Sequence, residues 1–429
     1  MKKVGMISLG CAKNLVDSEN IIGLLDHDKY EIVNDVEKAD IVFINTCGFI
    51  ESSKKESIDT ILEMVSYGKK VVVTGCLVQR YKEELEKEIP EVAKFIAIRD
   101  YLHLNDILQE VDPDLKEDGG LNDEYRIVST GNFSAYLKIG EGCDNCCTYC
   151  AIPLIRGHFV SRRQEEIIKE ARELVNQGYK ELIVLEQDTT KYGIDLHNGE
   201  NIVDLLKSLL AIEGLDYIRL LYLYPDEISD ELIDLIKDNQ ERLTPYFDIP
   251  IQHSEDSILK AMNRRGDKEF LRQLFAKIRS KIPSAILRTT VMVGFPGETK
   301  KDFQGLKKFI EEIKFDHLGA FSYSREEGTK SYEFPHHVRE STKKRRLEEI
   351  MELQQKISYE NNQKHIGEVM TGLIVGEEDG NYLFRSYWNA PDDVDGKIYI
   401  NKTKKLSLGD KVKIKIDNAF VYDLTGHLI

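Results

Sequence analysis

Three β-branched runs near the start of the chain each lead into a cysteine. Lys3 to Leu9 leads into Gly10-Cys11, and Asp40-Ile41-Val42-Phe43-Ile44-Asn45-Thr46 leads into Cys47-Gly48. Lys70-Val71-Val72-Val73-Thr74 leads into Gly75-Cys76. Apolar runs of this length without alternation predict strands buried on both faces, as in a parallel sheet. A helical pattern follows each run: Asn14 to Leu25, Glu51 to Val65, and Gln79 to Glu88. Strand–helix alternation packs as a doubly wound sheet, and ligands of such sheets gather outside the carboxyl ends of the strands. Cysteines 36 and 29 positions apart are thereby expected at one edge. A lone cysteine is usually a small buried hydrophobe. Three at the same edge point instead to a three-thiolate site at Cys11, Cys47 and Cys76.

Turn residues crowd positions 112 to 132 (Asp112-Pro113-Asp114, Gly119-Gly120, Gly131-Asn132), which marks a linker. The alternation resumes at Ser134, with candidate strands Ala135–Gly140, Glu181–Glu186, Tyr217–Leu223, Tyr246–Ile251, Ile286–Val293 and His317–Ser322. Amphipathic segments lie between them, including Arg163 to Gln177, Asn201 to Ala211, Ser229–Lys237, Lys268–Lys281 and Lys301–Lys314. Six such units predict a partial (β/α) barrel, with reactive groups at the carboxyl ends of its strands.

The stretch Glu141-Gly142-Cys143-Asp144-Asn145-Cys146-Cys147-Thr148-Tyr149-Cys150 directly follows the first barrel strand. Cys143, Cys147 and Cys150 read as C-x3-C-x2-C, three thiolates able to hold three irons of a cubane cluster and leave the fourth iron open to a ligand. A structural zinc site normally separates its C-x-x-C pairs by a dozen or more residues so that the chain can wrap the ion. A redox C-x-x-C accounts for two thiols and not for four. The iron–sulfur reading leaves Cys146 as a spare.

The chain has 429 residues, a net charge of −16 and seven cysteines. That length predicts two or three domains. The cysteines are odd in number and clustered, which fits metal in a reducing compartment better than a disulfide scaffold. The opening Met1-Lys2-Lys3-Val4-Gly5-Met6-Ile7-Ser8 reads as a strand rather than a signal peptide, and no stretch reaches the length of a membrane span. A cytoplasmic protein is expected. The acidic balance argues against nucleic acid as the main partner, because such binding draws on Lys and Arg facing phosphates.

The C-x3-C-x2-C motif after the first strand of an incomplete barrel resembles the radical S-adenosylmethionine (SAM) enzymes. The segments around Cys11, Cys47 and Cys76 are similar to the methylthiotransferases within that group. Cys47-Gly48-Phe49-Ile50-Glu51-Ser52, Gln187-Asp188-Thr189-Thr190-Lys191-Tyr192-Gly193, Tyr246-Phe247-Asp248-Ile249-Pro250-Ile251-Gln252-His253 and Arg385-Ser386-Tyr387-Trp388-Asn389-Ala390-Pro391 resemble the branch that modifies an aspartate of ribosomal protein S twelve. They are less like the branch that modifies tRNA adenosine. The likeness spans essentially the whole chain, and Cys146 departs from the usual motif.

The resemblance implies two [4Fe-4S] clusters, one on Cys143, Cys147 and Cys150 and one on Cys11, Cys47 and Cys76. It implies that SAM bound to the first cluster yields a radical that takes hydrogen from the aspartate β-carbon. A second SAM methylates the sulfur that the other cluster delivers. Cofactors then carry the chemistry, and no catalytic side chain beyond the cluster ligands is expected. Strand-end positions nominate Tyr149, Gln187, Gln252 and Gly294 as contacts to SAM. Gly294-Phe295-Pro296-Gly297-Glu298 lacks the lysine of a phosphate-binding loop.

Glu340 to Gln363 reads as one long charged helix, with Lys343-Lys344-Arg345-Arg346 expected on a solvated face. Beyond Gly367 come short strands, Glu368–Val375, Tyr382–Ser386, Lys397–Ile400, Lys411–Ile416 and Ala419–Tyr422. They predict a small antiparallel barrel of oligonucleotide-binding type, similar to a TRAM domain. From residue 361 to 429 there are nine Lys and Arg against ten Asp and Glu. That balance, with Asp392-Asp393 and Asp395 beside Trp388, suggests a surface for a basic protein rather than for RNA.

The sequence thus predicts an α/β chain in three parts: an N-terminal doubly wound sheet (1–125), a partial (β/α)6 barrel (132–360) and a TRAM-like barrel (363–429). The expected activity is methylthiolation of ribosomal protein S twelve, free or in the small subunit, with an external electron donor and a sulfur donor. The rivals are a tRNA adenosine methylthiotransferase and a non-catalytic, metal-containing RNA-binding protein.

Overall fold

Val71, Val72 and Val73 are all fully buried, yet they serve opposite faces of one sheet. Val71 and Val73 pack with Ile44, Ile61 and Leu77, while Val72 packs with Val4, Ile21 and Phe43. That division is what a parallel strand covered on both faces requires. The computed structural model describes residues 1–25, 30–111, 126–131, 133–391 and 394–429, and these form two compact units.

The first unit comprises Met1–Ser129, Glu141–Val160 and Ser324–Tyr332. Its sheet has strands β1 (Lys2–Ser8), β2 (Tyr30–Ile32), β3 (Ile41–Thr46), β4 (Lys70–Gly75) and β5 (Lys94–Ile96) in the order β2-β1-β3-β4-β5, all parallel. Helices Ala12–Gly23, Glu51–Ser66 and Cys76–Glu88 follow β1, β3 and β4. The expected strands and helices are present. The edge strands β2 and β5, three residues each, are too short to carry a pattern of their own. Register aligns Ser8 with Asn45 and Thr46 with Gly75. Cys11, Cys47 and Cys76 therefore leave the sheet at a common edge.

The second unit comprises Thr130–Gly140, Ser161–Tyr323 and Glu333–Ile429. Parallel strands β6 (Ser134–Lys138), β7 (Glu181–Leu185) and β8 (Tyr217–Leu220) form one sheet in the order β8-β7-β6. Strands β9 (Tyr246–Asp248), β10 (Ile286–Val293) and β11 (His317–Ser322) form another. A parallel bridge from Ile218 to Leu243 continues the first toward the second, giving the six-stranded partial barrel that the sequence predicts. A helix Glu340–Gln363 leads to a closed barrel of β12 (Val369–Glu378), β13 (Asn381–Arg385), β14 (Ile398–Asn401), β15 (Lys411–Ala419) and β16 (Leu424–Leu428). Among the described residues no helix is long and apolar enough to cross a membrane.

Three expectations need correction. The last strand is Leu424–Leu428, not Ala419–Tyr422. A register shift between Ile416 and Asn418 lets β15 run on to Ala419, and Phe420 and Tyr422 then lie exposed in the turn. Lys343 and Arg346 are buried rather than solvated, Lys343 donating to the Tyr323 carbonyl at 2.9 Å. Asp395 and Trp388 do not form a surface. Trp388 is fully buried, and Asp395 is enclosed by Tyr246 at 2.6 Å, Arg288 at 3.4 Å and His317 at 3.7 Å. A carboxylate so placed stays ionised because cations and donors replace its water. Asp392 and Asp393 lie outside the described residues.

Candidate functional site

Two glycines let the cysteine loops of the first unit approach one another. A methyl group on Gly10 would lie 2.9 Å from Cβ and 3.1 Å from Sγ of Cys47, and Gly10 has φ of 93°, where a side chain is strained. A methyl group on Gly48 would lie 2.7 Å from the Leu77 backbone and 2.8 Å from the carbonyl carbon of Cys76. Each cysteine loop thus packs on the next. Ser57 Oγ donates to the Cys47 carbonyl at 2.9 Å and accepts its N–H at 3.1 Å. Asn14 Nδ2 donates to the carbonyls of Leu9 (2.9 Å) and Thr46 (3.1 Å), while Asn45 Nδ2 donates to the Asn14 carbonyl at 2.7 Å. The ends of β1 and β3 are tied together next to the thiols.

The three thiols feel one another. Burial pushes Cys47 and Cys76 up, Cys76 to about 11 despite Arg156 beside it; Cys11 adds to the rise of both, and Cys47 adds to that of Cys76. Cys11 is the exposed member. Protein packed around its sulfur raises its pKa, but Lys13, Arg156 and the N–H groups of Asn14 and Lys13 outweigh this and hold the thiol below its ordinary range. One activated thiol beside two reluctant ones suits a site whose thiols lose their protons to a metal rather than to water.

The second cysteine set belongs to the same unit. Its loop is folded back on itself by Cys143 N–H to the Gly157 carbonyl (3.2 Å) and Cys150 N–H to the Cys147 carbonyl (3.0 Å). Asp144 receives Phe159 N–H at 3.3 Å and lies 2.8 Å from His158 Nδ1. Ile152 N–H points at Cys150 Sγ from 3.4 Å, the kind of donor that supports a bound thiolate. Cys143, Cys147 and Cys150 are all half-buried. Cys146 is exposed and has φ of 51°, in the left-handed region that is unusual for a residue other than glycine. Tyr149 is half-buried within the loop.

Arg156, which sequence reasoning missed, connects the two sets. Its side chain is 1% exposed. Nη2 pairs with Asp17 at 2.8 Å and donates to Asn14 Oδ1 at 2.6 Å, and Nη1 lies 3.0 Å from both oxygens of Glu141. Nη2 is also 3.8 Å from Cys76 Sγ. An arginine closing the apolar run Ala151-Ile152-Pro153-Leu154-Ile155 was the available signal.

The donor sets fit iron–sulfur clusters. Each offers three thiols, the soft donors that such clusters take. Among the described residues no three His, Cys, Asp or Glu side chains are arranged around a single ion. In a cubane each thiolate binds a different iron, so the sulfurs stand apart from one another.

The remaining nominated residues lie in the second unit. Gln187 Nε2 is shielded and has no hydrogen-bond partner among the described residues. Gln252 has φ of 67° and links strands, its N–H donating to the Thr290 carbonyl (2.9 Å) and its carbonyl accepting from Met292 (2.7 Å). Gly294 has φ of 77°, and the volume a side chain would occupy is filled by the Lys343 stem. Its N–H donates to Glu298. Burial pushes Glu298 up to about 7, against the pull of Arg346 3.1 Å away and of the Gly294 and Phe295 N–H groups. His253 is fully buried and neutral: Nδ1 accepts from Glu255 N–H at 3.0 Å, and burial lowers its pKa to about 3.

The family descriptions follow the chain in order. Residues 3–97 match the uncharacterized protein family UPF0004, 137–310 the radical SAM superfamily and 366–429 the TRAM domain. The fold is similar to that of the radical S-adenosylmethionine methyltransferase TsrM from Kitasatospora setae, with a TM-score of 0.56 at 12% identity over 95% of this chain and 84% of that one. It is also similar to the cobalamin-dependent radical enzyme OxsB, with a TM-score of 0.52 at 12% identity over 83% and 56% of the two chains. Fold and sequence together define a radical SAM protein with an additional N-terminal sheet and a C-terminal TRAM barrel.

Relatives narrow this further. Ribosomal protein uS12 methylthiotransferase RimO of Alkaliphilus oremlandii (strain OhILAs) is 49% identical over 99% of this chain and 98% of its own. The proteins of the same name from Thermoanaerobacter sp. (strain X514) and Clostridioides difficile (strain 630) are 47% and 46% identical, covering 99–100% of each chain. The chain belongs to the ribosomal protein uS12 methylthiotransferase family.

Proposed function

We propose that the chain attaches a methylthio group to the β-carbon of an aspartate in uS12. In this reading Cys143, Cys147 and Cys150 hold a [4Fe-4S] cluster that binds SAM, and Cys11, Cys47 and Cys76 hold a second cluster. When bound, these groups supply a radical able to take hydrogen from an unactivated carbon, and the sulfur and methyl group that replace it. The chain's own residues bind and orient. Gly10 and Gly48 allow the three N-terminal loops to close on one site, and Asn14 and Asn45 fix the strand ends that carry them. Ile152 N–H supports Cys150. Gln187, whose amide nitrogen is buried and without a partner among the described residues, is the best supported of the SAM contacts, followed by Tyr149, Gln252 and Gly294. Electrons and sulfur come from external donors, and the setting is the cytoplasm, where thiols stay reduced.

One observation carries the reading: cysteines far apart in sequence share one sheet edge next to a packed C-x3-C-x2-C loop. The test is to supply reconstituted enzyme, SAM and reductant with uS12, with small ribosomal subunits and with tRNA, and to seek methylthio product by mass spectrometry. Product on uS12 supports the proposal, and product on tRNA alone refutes it. About eight irons per chain are expected, and zinc without iron would point to a non-catalytic metal protein.

A further inference from the structure

A buried arginine is costly unless its guanidinium is fully engaged. Arg156 satisfies that demand with Asp17, Asn14 and Glu141. Asp17 and Asn14 stand on the helix that follows Cys11, and Glu141 opens the loop that carries Cys143. Those partners would hold any arginine. What they do not require is the approach of Nη2 to Cys76 Sγ, at 3.8 Å, from a side chain 1% exposed. A cationic N–H beside a cluster sulfur stabilises the reduced state, which carries one more negative charge.

We propose that Arg156 is a positioning residue of the N-terminal cluster: held by Asp17 and Glu141, it presents a fixed positive charge to Cys76 and raises the reduction potential of the cluster that Cys11, Cys47 and Cys76 bind. This rests on the reading that those three cysteines hold a cluster. The charge has a use in the proposed reaction. Joining a thiolate sulfur to a carbon radical forms one C–S bond and releases one electron. The bond between that sulfur and its iron would break, and the cluster, when bound, would take up the electron, an uptake that a nearby cation favours.

The test uses the full chain with Cys143, Cys147 and Cys150 all changed to Ala, reconstituted so that only the N-terminal cluster is present. Iron and sulfide analysis comes first. A redox titration followed by electron paramagnetic resonance then reads the midpoint potential. Arg156→Gln is expected to shift it downward, Arg156→Lys to shift it less, and Asp17→Asn, which removes a neighbouring negative charge, to shift it upward. If Arg156→Gln fails to assemble a cluster, the opposite movements of Arg156→Lys and Asp17→Asn decide. Potentials that stay put, or move together, with about four irons bound overturn the role of Arg156. Absence of iron from the triple-Ala chain refutes the three-thiolate site itself, and this inference with it.

Discussion

Acidification should destabilise the second unit through His253, by an amount the structure allows to be worked out. His253 is fully buried, its Nδ1 is committed to Glu255 N–H, and its folded pKa is about 3. Burial is the main cause; Lys268 and Arg346 act in the same direction and Asp302 against it. In the unfolded chain the imidazole titrates near ~6.5. Between these values the unfolded state binds a proton that the folded state does not, so stability is complete above the unfolded pKa and falls as pH drops below it. At pH 5 the fold has lost about 1.5 pH units' worth of linkage, which at ~1.36 kcal/mol per unit is about 2 kcal/mol. The figure does not depend on the folded pKa as long as that lies well below 5. Trp388, the one tryptophan, is buried in the same unit and reports its unfolding. Urea titrations at about pH 7.5 and pH 5 would compare the natural chain with His253→Gln, which stays neutral at both. The natural chain should lose about 2 kcal/mol more than the variant, a midpoint difference of roughly 1 M urea. Equal losses would show that His253 does not carry the linkage.

Other outcomes follow from the cysteine sites. Cys147→Ala should abolish reductive cleavage of SAM and remove about half of the iron; cleavage at the natural rate would disprove the ligand assignment. Cys47→Ala should leave SAM cleavage intact while stopping methylthio transfer to uS12, assayed by chromatography for 5′-deoxyadenosine alongside mass spectrometry of the substrate. Cys146→Ser should change neither iron content nor product yield, because Cys146 is exposed and stands outside the C-x3-C-x2-C spacing. Gly10→Ala should destabilise the first unit by about 1–2 kcal/mol through its positive φ and lower the iron of the N-terminal cluster selectively. A stable Gly10→Ala chain with full iron would contradict the packing of Gly10 on Cys47.

Much of this protein was legible because its signals are local. Val71-Val72-Val73 and its two counterparts specify buried parallel strands by composition alone, and a cysteine at the end of each strand inherits its place from the topology of parallel sheets. The C-x3-C-x2-C spacing is likewise a property of ten consecutive residues. Charge patterns were the poorer guide. Asp395 and the Lys343–Arg346 run looked like solvated surface, yet Lys343 and Arg346 are buried and the Asp395 side chain is 1% exposed, because partners distant in sequence neutralise them. The strand at Leu424–Leu428 was displaced by a bulge that no alternation rule reveals.

Sequence by itself determined the two thiol sets and the layered architecture, since each follows from short-range periodicity and spacing. Tertiary structure decided how those thiols are held. Asn14, Asp17, Glu141 and Arg156 meet beneath Cys76 only after chain segments up to 142 residues apart are folded together. Electrostatic balance at a buried site is a sum over such distant neighbours, and the linear order of residues does not contain it.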